Sequence, residues 1–172
     1  MRRSLSVDAA TTIVNAFITS RIDYCNSVFS RVAVTHLRPL QSVLNAASRL
    51  IVKKRKKRKY DLIRATIRDV LHWLPIQQRI EYKLCDLVYK AKHHTAPVYL
   101  TELCVPVLIH KGRANLRSAT HGDLSIAANK GTTYSRRSFA VSGHTTWNTL
   151  SLSSREQSLS LDTLAVVSRR TI

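Results

Sequence analysis

One stretch constrains the fold of this chain more than any other: LHWLPIQQRIEYKLCDLVYKA at 71–91. Proline at the first position of a helix gives up only an amide hydrogen that would go unpaired there anyway, so Pro75 marks a start. After it, Ile76, Ile80, Leu84, Leu87, Val88 and Ala91 recur at three- and four-residue steps, and Tyr82, Cys85 and Tyr89 form a second stripe beside the first. A helix apolar over so wide an arc is contacted on two sides, as in the middle of a bundle. Trp73 is expected to anchor it, with Gln77, Gln78, Glu81, Asp86 and Lys90 as the wet face.

The flanking segments supply helices to surround it. A first helix is expected over 7–29, with Ser6 as N-cap, Asp8 in the first turn, and Ala10, Ile13, Val14, Phe17, Tyr24, Cys25 and Val28 along one face. Because Met1 lies only a few residues upstream, the chain is expected to begin inside a larger architecture. A second helix over 35–52 carries Leu37, Leu40, Leu44, Ala47 and Ile51 as the seam of a helix-on-helix contact, with Pro39 tolerated near its first turn. Short helices are expected over 61–70, with Leu62, Ile63, Ile67 and Val70 inward, and over 96–104; His93 and His94 close the central helix. Beyond 111 the chain turns rich in Ser and Thr, and all four glycines lie there. The reading is loop, with short strands at 124–127 and 138–141, a small helix about Trp147 and a last one over 161–167. The fold class expected is therefore mainly α: a helical bundle over about 7–105, and a loop-rich C-terminal region over 106–172.

Charge bounds the function. Lys and Arg number 28 against 10 Asp and Glu, a net +18 over 172 residues, and that imbalance points to phosphate. Seven cations stand in a row at Lys53, Lys54, Arg55, Lys56, Lys57, Arg58 and Lys59, leaving 18 − 7 = +11 for the other residues. Without an acid among them, such a run repels itself and is extended or frayed unless an anion is present. It reads as a nucleic-acid contact or nuclear import signal, with an inert solvated link as the alternative.

Other chemistry is excluded or unsupported. Cys25, Cys85 and Cys104, odd in number and set in apolar surroundings, read as reduced core cysteines of an intracellular protein in the nucleus or cytoplasm. No apolar run approaches the roughly 20 residues needed to cross a bilayer, so no membrane partner is expected. Cys85, His93, His94 and Cys104 match no usual zinc spacing, and no metal or other cofactor is implied. A polymerase centre needs clustered carboxylates holding two divalent ions about 4 Å apart. This chain has neither an adjacent acid pair nor Tyr-x-Asp-Asp, and it lacks a phosphate loop and a nucleophile–base arrangement. No catalytic residue is expected.

Five blocks carry a resemblance. They are SRIDYCNS at 20–27, LQSVLNAASRLI at 40–51, LHWLPIQQRIEYKL with LVYKA and APVYLTEL across 71–103, LRSAT at 116–120, and RRSFAV followed by TTWNTL at 136–150. In this order they resemble the region after the polymerase domain in non-LTR (LINE-type, Jockey-like) retrotransposons. The resemblance implies a piece of a reverse transcriptase, its thumb-like and C-terminal part without the catalytic palm, with RNA or DNA and that palm as partners. It also implies motif positions that hold the fold: Tyr24, Cys25, Asn26, His72, Trp73, Pro75, Arg79, Tyr82, Trp147 and Asn148. The chain departs from the family in having His144-Thr145-Thr146 and Leu150-Ser151 where prolines are usual, and only Ser168-Arg169-Arg170 as a basic end. Composition alone equally allows a free-standing basic RNA-binding protein, and a translated relic without function would keep the same blocks.

Overall fold

The computed structural model describes residues 5–53, 63–109, 121–127, 135–152 and 155. The described residues are mainly helical, in six α-helices: α1 (Val7–Val14), α2 (Ser20–Asp23), α3 (Val34–Ile51), α4 (Ile76–Lys92), α5 (Val98–Leu103) and α6 (Phe139–Thr149). The chain divides into two compact units. Met1–Asn26 with Val32–Arg79 forms the first, and Ser27–Arg31 with Ile80–Ile172 the second, the division falling inside α4.

In the first unit, Ser6 caps α1 by accepting the Ala9 N–H at 3.1 Å, with Asp8 in the first turn. The helix then passes without a break in helical dihedrals through a π-helical stretch, Asn15–Thr19, into α2. A π turn holds about 4.4 residues, so the next core contact after Val14 falls on Ile18 instead of Phe17. Ile18 packs against the buried Val14, Ala47 and Ile51, with Leu50, Leu71 and Trp73 around them. The expected apolar face of the first helix is corrected accordingly. Ala10 and Val14 are buried, whereas Ile13, Phe17, Tyr24, Cys25 and Val28 are exposed. The expected helix over 7–29 also stops at Asp23, because Tyr24 is extended and Cys25 takes a left-handed φ of 50°.

The seam of α3 is as read: Leu37, Leu44, Ala47 and Ile51 are buried and Leu40 half-buried. Of the short helix expected over 61–70, the described part includes a π-helical stretch, Thr66–Val70; Ile63 and Ile67 are buried and Val70 is exposed. Since no glycine precedes Gly112, helix ends in this half close on other residues. Lys53 (φ 54°), His72 (φ 53°) and His94 (φ 56°) occupy the left-handed position where glycine is the usual choice.

In the second unit, α4 buries Ile80, Leu84, Cys85, Val88 and Ala91. Asp86, expected on the wet face, is buried instead, with Lys90 Nζ at 3.0 Å and Lys83 Nζ at 3.5 Å from its carboxylate. Cys85, Val88, Leu124, Trp147 and Leu150 form the core, with Tyr82, Tyr89, Cys104 and Phe139 against it.

The expected strands do not form among the described residues. Leu124 makes one isolated bridge to Pro106, and 138–141 lies at the start of α6. Hydroxyls explain the second difference. Ser142, Thr145 and Thr146 each donate to the carbonyl four residues back, so side chains that suggest a strand or loop are satisfied within the helix. Gly143 is a helical packing position: a Cβ there would stand 3.1 Å from Phe139 and 3.3 Å from Val88. The expected helix over 161–167 lies outside the described residues.

Candidate nucleic-acid interface

The motif residues of the first unit converge on two polar ties. Arg79, on the first turn of α4, places its Nη1 at 2.9 Å and 2.7 Å from the two Asp23 carboxylate oxygens, and its Nε donates to the Leu74 carbonyl at 2.8 Å. The guanidinium also sits 5.8 Å from the centre of the Trp73 ring. Gln41 makes the second tie: its Oε1 accepts the Ile76 N–H at 2.9 Å, and its Nε2 donates to Asn45 at 2.9 Å. An amide side chain on α3 thus satisfies one of the orphan donors at the start of α4. Pro75 stands just before that helix, its carbonyl accepting the Arg79 N–H at 2.9 Å. SRIDYCNS, LQSVLNAASRLI and LHWLPIQQRIEY are joined by these bonds.

The other motif positions divide. Trp73 is half-buried and His72 exposed. Asn26 is buried with its Oδ1 unpartnered, while Tyr24 is 77 % exposed. In the second unit Tyr82 packs against the core, and Trp147 is 1 % exposed with Lys92 Nζ 4.8 Å from its ring centre. Asn148 holds both backbone groups of Leu124, accepting its N–H and donating to its carbonyl at 2.9 Å each. Sequence reading marks Asn148 as a motif position but gives no sign of a partner 24 residues away. Gln41, Asp23 and His144 are the structural residues it misses.

Among the described residues, burial shifts several titratable groups. Burial pushes the Cys85 thiol up to about 12 and the Cys104 thiol up to about 11, which keeps both protonated and poorly nucleophilic. Cys25, expected in the core, is exposed. His144 is buried, its Nδ1 2.8 Å from the Ser125 carbonyl; a carbonyl only accepts, so Nδ1 carries the proton. Burial lowers its pKa from 6.5, because Nε2 is enclosed without a partner. Burial likewise lowers the Lys92 pKa, with nearby Arg155 adding repulsion. Arg155 is itself paired with Asp123. No cluster of three metal-ligating side chains forms among the described residues. An apolar hollow of about 90 Å³, lined by Leu5, Ala10, Ile13, Leu50 and Lys53, is far below cofactor size.

Of the basic run, Lys53 is exposed at the end of α3, and Lys54, Arg55, Lys56, Lys57, Arg58 and Lys59 lie outside the described residues. No helix among the described residues is long and apolar enough to cross a membrane. Comparison with protein-family models, curated proteins and solved structures returns no match to the chain.

Proposed function

We propose that the chain is a noncatalytic portion of a retrotransposon-type RNA-directed DNA polymerase, and that it holds RNA or DNA by the phosphates. The observation that carries this reading is charge: a net +18, with seven cations consecutive from Lys53. The ordered sequence blocks add the polymerase context, and the ties from Arg79 to Asp23 and from Gln41 to Ile76 support it by joining residues of three of those blocks. On this reading the polar motif residues are positioning groups for a thumb-like helical scaffold, and basic side chains do the binding. The partner implied is a polymerase palm, and the place of action is the nucleus or cytoplasm.

The test sets binding against chemistry. Purified full-length protein is titrated into a labelled RNA–DNA duplex and, separately, supplied with a primed RNA template, nucleotides and Mg²⁺ or Mn²⁺. Binding that weakens with salt and no nucleotide incorporation is expected. Incorporation by the pure chain would refute the noncatalytic assignment, since two-metal catalysis needs carboxylates that the sequence does not cluster.

A further inference from the structure

The first helical segment of the first unit and its C-cap residue present two aromatic rings to solvent. Phe17 is 73 % exposed and Tyr24 77 %, and between them, four residues after one and three before the other, stands exposed Arg21. Tyr24 is the C-cap of α2, with a φ of −65° and its N–H still bonded to the Ser20 carbonyl, so steps of four and three bring all three toward one side of this segment, the Cα atoms of the two aromatic residues about 10 Å apart along its axis. The π-helical stretch Asn15–Thr19 creates this arrangement by passing the core contact to Ile18 and turning Phe17 outward. Such bulges recur at functional positions. Asp23, two residues from Arg21, is paired with Arg79 instead.

We propose that Phe17, Arg21 and Tyr24 form a platform on which unpaired bases of single-stranded RNA or DNA stack. The inference rests on the nucleic-acid reading above and specifies the strand state that this surface takes. Exposed aromatic faces beside a cation are the elements of sequence-tolerant single-strand binding: rings stack on any base, and the guanidinium meets a phosphate or a base face. Charge complementarity selects this occupant, because exposed Arg21 stands beside the rings on a chain of net +18 and the neighbouring Asp23 is engaged by Arg79. A duplex is disfavoured, since its base faces are covered by their own neighbours while splayed single strands offer theirs.

The test uses the full chain, the Phe17→Ala/Tyr24→Ala variant and the Lys53→Ala/Lys54→Ala/Lys56→Ala/Lys57→Ala/Lys59→Ala variant. Binding of a labelled 12-nucleotide oligo(U) and of a 12-base-pair duplex is followed by anisotropy across a salt series, with sedimentation velocity on each protein. Both rings are at the surface, so the aromatic variant should keep the wild-type melting curve. Loss of two stacked bases, at about 1 kcal/mol or more each, corresponds to a weakening of about thirtyfold or more on oligo(U). Duplex affinity should stay within about twofold, and the salt slope should not change. Wild-type affinity for oligo(U) would overturn the platform, as would equal losses on single strand and duplex, or a drop in sedimenting mass showing that the rings join copies of the chain. Loss on oligo(U) in the aromatic variant with no effect of the lysine substitutions would keep the platform and refute the basic run as binding centre. If the wild type bound neither ligand, both readings would fall.

Discussion

The two units of this protein hold themselves together by different means. In the first, a small apolar cluster of Val14, Ala47 and Ile51 is supplemented by polar ties across sequence, Arg79 to Asp23 over 56 positions and Gln41 to Ile76 over 35, while Phe17 and Tyr24 face water and Trp73 is half-buried. In the second, an indole sits in a dry core with Cys85, Val88, Leu124 and Leu150, and the polar ties serve a buried loop backbone through Asn148 and His144. Charge follows the same division. The first unit has 15 Lys and Arg against 4 Asp and Glu, the second 13 against 6. The more cationic unit thus adds charged and amide ties to a small apolar cluster, whereas the second encloses a whole indole in its core.

Truncation of the two tryptophans gives the largest expected contrast. Trp147→Ala should cost about 3–5 kcal/mol, the range for a large aromatic removed from a closed core, and abolish hydrogen-exchange protection at Leu124 and along α6. Trp73→Ala, at a half-buried position, should cost clearly less. Equal costs in urea denaturation, or the reverse order, would break the comparison.

Removal of the ion pair is next. Asp23→Ala leaves a mostly buried guanidinium without its carboxylate, but Asp23 is 43 % exposed, so solvent screening limits the loss to about 1–2 kcal/mol. The effect should be read in the first unit as loss of protection at the start of α4. Stability unchanged within about 0.3 kcal/mol would show the tie to be incidental to that unit.

A smaller effect, in the second unit, depends on pH. His144 binds a proton less readily folded than unfolded, so stability is full above its ordinary pKa of 6.5 and falls as pH drops below that value toward the depressed folded pKa. His144→Asn retains a donor toward the Ser125 carbonyl and cannot take up the proton; it should remove this part of the acid-side loss. Melting temperatures compared at pH 7 and pH 5 measure it, and an unchanged difference in the variant would contradict the assignment.

How far the fold was legible follows from the same residues. The periodicities of α3 and α4 agree with burial at Leu37, Leu44, Ala47, Ile51, Ile80, Leu84 and Val88, because long amphipathic helices repeat one signal many times. The π-helical stretch at Asn15–Thr19 escaped, since NAFIT fits an ordinary helix and only packing shows which of Phe17 and Ile18 turns inward. The start of α6 was hidden by its Ser and Thr residues, whose hydroxyls compete with backbone hydrogen bonding in general but here are satisfied by carbonyls of the preceding turn. Asp86 illustrates a legible signal given too little weight: lysines three residues before it and four after it allow a buried carboxylate. The motif positions Arg79, Trp147 and Asn148 were identifiable as a set, while their partners, distant in sequence, were not.

The central claim, that this basic chain binds nucleic acid through phosphates at the run starting with Lys53, is tested most directly by the salt dependence of duplex binding. Engagement of about four to six phosphates should give a log–log slope of roughly −4 to −5 for the wild type. The variant with Lys53, Lys54, Lys56, Lys57 and Lys59 replaced by alanine should show a markedly flatter slope and weaker affinity for every sequence, with helicity by circular dichroism retained. Unaltered slope and affinity in that variant would contradict the claim and make the run an inert surface link.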